Sequence, residues 1–236
     1  MSEALFDYAS TPHAQMYHFL HDQDIRTIVE VGARDGLGTV ILATLFPVAT
    51  VYSYECNPAL TEGCRRVIAS APCKDRVVFH DYGLGRVKER RTFYPYLDSD
   101  GGPSSFLQRV DFEKTQAAIE HVQLDMLAND IGRYAIERID LLFMDVQGYE
   151  LNVLLGTGDE YLKNSVRFIL LEIPREEINR SILSRGHSAY VGAPTRQEIL
   201  DYLRPLGFEI IATLYENELE ENVLLANVAC CEEQSQ

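Results

Sequence analysis

The 236 residues carry 36 acidic against 21 basic side chains, a net charge of −15, with 46% hydrophobic and 24% charged residues. A chain of this length can bury a core without a disulfide or metal staple, and at roughly 150 residues per domain it allows one large domain or two small ones. The acidity argues against a nucleic acid or an anionic membrane surface as partner, because both are gripped through clustered Lys and Arg.

The elements follow in chain order. Residues 1–24 predict an N-terminal helical cap, and Tyr8, His13 and Gln15 are positioned there to close over a pocket or simply to pack on a sheet. Thr27–Val31 predicts a first strand, Gly32–Gly38 a glycine-rich turn, and Thr39–Phe46 a helix stopped by Pro47. Thr50–Glu55 alternates and is rich in β-formers, and Asn57-Pro58 opens a helix over Ala59–Ala69. Arg76–His80, Asp140–Asp145 and Arg167–Glu172 predict the third to fifth strands, with a helix over Tyr149–Leu155 between the last two. The segment Arg86–Gln123 fits this alternation poorly. Its run of turn formers from Asp98 to Ser105 predicts a lid or substrate loop.

Thr195 is a candidate N-cap for a helix over Thr195–Leu203, closed by Pro205 and Gly207. Phe208–Leu214 and Asn222–Val228 then predict two strands joined by an acidic connection too short for a crossover helix, hence an antiparallel pair. Strands alternating with helices predict one α/β domain over 1–236: a Rossmann-like, seven-stranded, mostly parallel sheet ending in an antiparallel hairpin, with helices on both faces.

The five cysteines, Cys56, Cys64, Cys73, Cys230 and Cys231, form no C-x-x-C pair and suit a reducing compartment. The amino-terminal residues lack the basic start and apolar run of a secretory signal, and no stretch of about 20 apolar residues predicts a membrane span. A cytoplasmic location is the expectation, with oligomeric state left open.

In an open α/β sheet, ligands sit beyond the carboxyl ends of the strands. There the first strand ends in Glu30 and runs into Gly32, Ala33, Arg34 and Gly36, where the backbone can turn tightly and present N–H groups to an anion. The second strand ends in Glu55, about twenty residues on, where a carboxylate can accept both hydroxyls of a ribose. Together these predict a nucleoside cofactor, either S-adenosylmethionine or NAD. Gly32, Gly36 and Gly38 do not form G-x-G-x-x-G, which leans away from NAD.

The fourth strand carries the most specific run, Met144-Asp145-Val146-Gln147-Gly148-Tyr149-Glu150, continuing to Leu154-Leu155-Gly156. With Val122–Asp125 upstream, Phe168–Glu172 downstream, the glycine turn, Glu55-x-Asn57-Pro58 and Gly83-Leu84-Gly85, this resembles the FkbM family of S-adenosylmethionine-dependent methyltransferases. The family's pattern is an apolar strand, D-V-(E/Q)-G-x-E, then V-L-x-G, and the likeness covers roughly residues 25–230. Arg34 stands where the family more often has Asn. The resemblance implies a class I methyltransferase fold and O-methylation of a sugar, a glycan or a related small molecule.

Cofactor contacts are expected at Gly32, Ala33 and Gly36 for the methionine part and Glu55 for the ribose, with Cys56 and Asn57 beside it. Asp81, Gly83 and Leu84 are expected by the adenine and Arg34 at the methionine end, while the acids Glu30, Asp145 and Glu172 suit the positive charge of the cofactor. Asp145 and Glu172 end neighbouring strands. One use for them is a base taking the acceptor's proton; the other is a pair holding Mg²⁺ or Mn²⁺. His187 is a second candidate base. Asp145 can also serve as the N-cap of the helix after it. The rival functions are a nicotinamide oxidoreductase and a catalytically silent interaction module.

Overall fold

The computed structural model describes residues 11–96, 104–109, 119–175, 190–216 and 220–232. The first part runs α1 (Pro12–Leu20), β1 (Thr27–Val31), α2 (Leu37–Leu45), β2 (Thr50–Tyr54), α3 (Thr61–Ser70) and β3 (Val77–His80). Three strands follow, β4 (Gly83–Leu84), β5 (Glu89–Phe93) and β6 (Ile119–Asp125), then α4 (Leu127–Tyr134). The chain continues with β7 (Ile139–Met144), α5 (Glu150–Thr157), α6 (Asp159–Ser165) and β8 (Val166–Pro174). It closes with α7 (Arg196–Leu203), β9 (Phe208–Glu216), β10 (Glu220–Asn227) and α8 (Val228–Glu232).

The main sheet has the order β3-β2-β1-β7-β8-β10-β9. β1, β2, β3, β7 and β8 are parallel, and β10 runs antiparallel to both of its neighbours. The predicted hairpin is present, and its second strand, β10, lies between β8 and β9. β10 is buried through Val223, Leu224 and Leu225, and an inner position gives these apolar side chains cover on both faces.

Strand residues alternate between two cores, which is why the runs read as continuously apolar. Val29, Val31, Leu142, Met144, Ile169 and Leu171 pack on one face with α5 and α7. Ile28, Leu141, Phe143 and Leu170 pack on the other with Met16 and Leu20 of α1 and Leu42 of α2. Helices thus cover both faces. At the amino ends of the strands, the buried Asp140 carboxylate accepts from the amides of Arg26 (2.8 Å) and Thr27 (3.0 Å) and pairs with the equally buried Arg167 (3.2 Å). That pins the start of β1 to β7. The sequence-predicted cap of α7 forms as a capping box between Thr195 and Glu198.

The region 86–123 departs in part from the expected loop, whose turn formers at 98–103 lie outside the described residues. It contains β5 and β6, which with β4 make a second, three-stranded sheet, β6 antiparallel to β5 and parallel to β4. The sequence hides it for a physical reason. β5 is Glu-Arg-Arg-Thr-Phe, with its two arginines exposed, and the pairing slips between Arg91 and Phe93. On β6, His121 has φ +67°, so neither strand keeps a clean period of two. Among the described residues no helix is long and apolar enough to cross a membrane.

Candidate active site

The strand order reverses between β1 and β7, and a cavity of about 430 Å³ opens there at the carboxyl ends of β1, β2, β7 and β8. Its first wall is the glycine turn. Gly32 has φ +95°, and a β-carbon on it would lie 2.0 Å from the carbonyl oxygen of Asp145, so only glycine fits. The amides of Gly32 and Ala33 both donate to the Tyr54 carbonyl at 3.0 Å, which ties the turn to β2.

Glu55 is the second wall. It is buried, and its two carboxylate oxygens accept from the amides of Arg34 and Asn57, each at 2.7 Å. Burial pushes its pKa up to about 7 against the pull of those amides, with Asp145 adding to the rise. Gly32, Arg34, Glu55, Cys56 and Asn57 line the cavity. So do Gly83, Leu84, Asp145 and Glu172.

Four predicted contacts lie elsewhere. Ala33 packs in a small core with Cys64 and Ile68, and Gly36 backs onto Cys64; both support the turn from beneath. Glu30 is buried away from the cavity, where its carboxylate accepts from the hydroxyls of Thr39 and Ser53. Asp81 is an exposed partner of Arg65 at 2.7 Å. His13 stacks on Phe143 at 4.6 Å, and neither it nor Gln15 lines the cavity. Tyr8, Asp98 and His187 fall outside the described residues.

Asp145 does not cap α5, whose N-cap is Tyr149 without a side-chain bond. Glu150 serves the turn instead: its Oε1 accepts from the amides of Val146 and Gly148, each at 3.2 Å. Burial raises the Glu150 pKa to about 8. The Asp145 and Glu172 carboxylates do converge, but through a residue given no role from sequence. The Gln147 amide nitrogen donates to Asp145 Oδ1 and to Glu172 Oε2, each at 2.7 Å. Burial, with Asp145, Glu220 and Glu150 close by, raises the Glu172 pKa strongly, so that Glu172 holds a proton more tightly than a free carboxylate.

These residues do not fit a resident divalent cation. Mg²⁺ or Mn²⁺ needs several oxygen ligands, whereas here an N–H donor lies between the two acids. Among the described residues no group of three or more His, Cys, Asp or Glu converges on one point. The expected metal at Asp145 and Glu172 finds no support in this arrangement.

The remaining walls come from β5 and the segment after it. Phe93, Phe106 and Tyr149 form an aromatic group over the cavity, with Phe93 and Phe106 edge to face at 5.0 Å. Ser105 pairs with Tyr94 through the backbone. Sequence reasoning missed Gln147, Ser105, Phe106 and Tyr190 as parts of the site. The one available signal was the E/Q position of the Asp145-Val146-Gln147-Gly148 motif; the others depend on tertiary contact.

A sheet of this order, with a glycine turn after β1 and a buried acid after β2, defines a class I methyltransferase. The Methyltransferase FkbM domain model matches residues 30–210, and the chain belongs to that family. The 2-O-methyltransferase NoeI of Sinorhizobium fredii is 27% identical over 229 residues, 91% of this chain and 84% of that protein. AMB antimetabolite synthetase AmbE of Pseudomonas aeruginosa is 30% identical over 220 residues, 78% of this chain but 9% of that much longer protein. The O-methyltransferase of Bacillus cereus, solved in complex with SAH, shares the fold with a TM-score of 0.52 at 13% identity, over 96% of this chain and 81% of that one. The chain is therefore an S-adenosylmethionine-dependent methyltransferase, and the nicotinamide alternative falls.

Proposed function

We propose that the protein, as one catalytic domain, transfers the methyl group of S-adenosylmethionine to a hydroxyl of a sugar, a glycan or a related small molecule. The observation that carries this reading is that two separate acidic features open on one cavity. Glu55 lies at the end of β2, beside the glycine turn, and the Asp145–Glu172 pair lies at the ends of β7 and β8. S-adenosylmethionine supplies a methyl carbon on a sulfonium, a good leaving group, so the protein's main work is alignment. In this reading Glu55 accepts the ribose hydroxyls and the Gly32–Arg34 turn borders the methionine end. Asp145 takes the proton that the acceptor hydroxyl releases as its oxygen bonds the methyl carbon.

The cavity walls and one relative point to the acceptor class. Phe93, Phe106 and Tyr149 offer faces on which a sugar ring stacks, and Glu172 and Glu220 offer acceptors for its hydroxyls. NoeI is by its name a 2-O-methyltransferase, which fits a hydroxyl acceptor. Cys56, Cys64 and Cys73 are free thiols, which suits a reaction in the cytoplasm.

Calorimetry with S-adenosylhomocysteine, followed by transfer of labelled methyl to a panel of neutral, amino and uronate glycosides, tests the proposal. Cofactor binding with label on a hydroxyl oxygen of any of these glycosides supports it. Absence of cofactor binding would favour the silent interaction module, and labelling of nitrogen or carbon acceptors alone would overturn O-transfer.

A further inference from the structure

Gln147 occupies a backbone conformation that its side chain does not favour. Its φ is +55°, a left-handed geometry that Gly or Asn adopts more readily, and such residues persist where surrounding contacts over-determine them. Those contacts account for nearly every polar group it has. The amide nitrogen donates to Asp145 and Glu172 at 2.7 Å each. The amide oxygen accepts from the Tyr190 hydroxyl at 2.6 Å, and the backbone carbonyl accepts from the Ser105 hydroxyl at 2.8 Å.

The Tyr190 bond decides the orientation of the amide. A hydroxyl that donates to Oε1 leaves Nε2, with its two hydrogens, facing the carboxylates. Tyr190 is itself buried and anchored: it bridges to Arg109 through the backbone, and the Arg109 guanidinium lies over its ring at 5.5 Å and over that of Tyr96 at 5.3 Å. Next to it, the Val191 amide donates to the Gln108 carbonyl at 2.8 Å. Ser105, in a wall of the cavity, and Tyr190 behind it are thereby both tied to Gln147, the first at its backbone carbonyl and the second at its side-chain amide.

We propose that Tyr190 and Gln147 form a positioning relay. Tyr190 orients the Gln147 amide, and the two N–H groups of that amide fix where the Asp145 and Glu172 side chains sit. The consequence for methyl transfer rests on the reading of Asp145 as proton acceptor given above. The relay itself does not, and it can be tested without acceptor or cofactor.

The charged groups around the pair are Glu150 from α5, Glu220 from β10, Glu55 just after β2 and Arg34 from the β1–α2 turn, with Arg109 beside Tyr190. Neither Gln147→Met nor Tyr190→Phe alters any of their charges. Both remove a hydrogen bond while keeping most of the shape.

The measurement is the carboxyl ¹³C NMR titration of the full chain labelled in glutamate, with the Glu172 signal assigned by its loss in Glu172→Gln. An N–H donor favours the charged form of a carboxyl group, so losing it raises the titration midpoint. Gln147→Met is expected to raise the Glu172 midpoint by about one pH unit, and Tyr190→Phe to raise it by less. The double variant should match Gln147→Met alone, because Tyr190 acts only through the amide. An unchanged or lowered midpoint in Tyr190→Phe, or shifts that simply add in the double variant, would overturn the relay. Should Gln147→Met fail to fold, Tyr190→Phe decides the matter by itself, since its ring packing is retained. Calorimetry of the wild-type chain with S-adenosylhomocysteine separately reports whether the cofactor reading fails.

Discussion

A β-carbon built on Gly32 would lie 2.0 Å from the carbonyl oxygen of Asp145. The glycine turn and the acid after β7 are thus in backbone contact, and the first cannot change without displacing the second. Gly32→Ala combines a left-handed φ, costing about 1–2 kcal/mol, with a backbone overlap costing about 1–3 kcal/mol. A loss of roughly 2–5 kcal/mol in urea denaturation is expected, with loss of cofactor binding. Gly132 in α4 has open space around it, so Gly132→Ala should instead gain roughly 0.5–1 kcal/mol from helix propensity. The same substitution at two glycines takes opposite signs.

Glu55→Ala should weaken S-adenosylmethionine binding by about 1.5–3 kcal/mol, the usual worth of hydrogen bonds to a charged group. Calorimetry checks this. The loss should grow less marked as pH falls below about 7, where the wild-type carboxyl takes up a proton and loses part of its own advantage.

Asp145→Asn keeps the shape of the side chain and removes its basicity. Turnover should fall about 10²–10⁴-fold, the range for a general base, while the dissociation constant for S-adenosylhomocysteine moves little. Glu172→Gln should be milder at neutral pH, since its raised pKa already keeps Glu172 protonated there. Steady-state kinetics beside calorimetry separates the two effects.

Treatment with EDTA, and later addition of Mg²⁺ or Mn²⁺, should leave the methyl-transfer rate unchanged. The ground is the Gln147 amide, whose N–H groups lie 2.7 Å from Asp145 and from Glu172. A rate abolished by EDTA and restored by either ion would show that the amide gives way to a cation.

Glu30 gives the fold a pH dependence. It is buried, and burial raises its pKa from 4.5 to about 7. The folded chain therefore binds this proton more tightly than the unfolded one. The resulting stability is fully present below about pH 4.5 and is lost as pH rises through about 7. Glu30→Gln mimics the protonated acid, so it should match the wild type near pH 5 and exceed it at pH 8 by roughly 1–3 kcal/mol. Thermal melts at the two pH values measure the difference. Glu150, raised to about 8, acts in the same direction and keeps some pH dependence in the variant.

The seven strands of the main sheet were legible because each is a short run, nearly continuously apolar or alternating, between turn signals. The Asp145–Glu150 motif was legible because its spacing is unusual. Glu55 was legible as a cavity acid from its place at the end of a predicted strand. Glu30 and Asp81 were placed by the same rule and lie elsewhere. Glu30, inside β1, points its side chain under α2 toward Thr39 and Ser53, and Asp81 turns outward to Arg65. A strand end fixes where the backbone goes, but the pleat decides which face each side chain takes.

The glycine of the Leu154-Leu155-Gly156 run shows what a motif can hide. A β-carbon there would lie 1.9 Å from the carbonyl oxygen of Gly85, so two separate motifs are the two halves of one close contact. Sequence by itself determined the class of sheet, the acids at its carboxyl end and the family to which the chain belongs, since each depends on local periodicity or on the spacing of a few residues. The tertiary structure decided the rest: the slot taken by β10, the second sheet hidden in residues 86–123, and the bridging of Asp145 and Glu172 by an amide held by Tyr190. Those are contacts between segments far apart in the chain, made by packing and hydrogen-bond satisfaction, and no local pattern of residues encodes them.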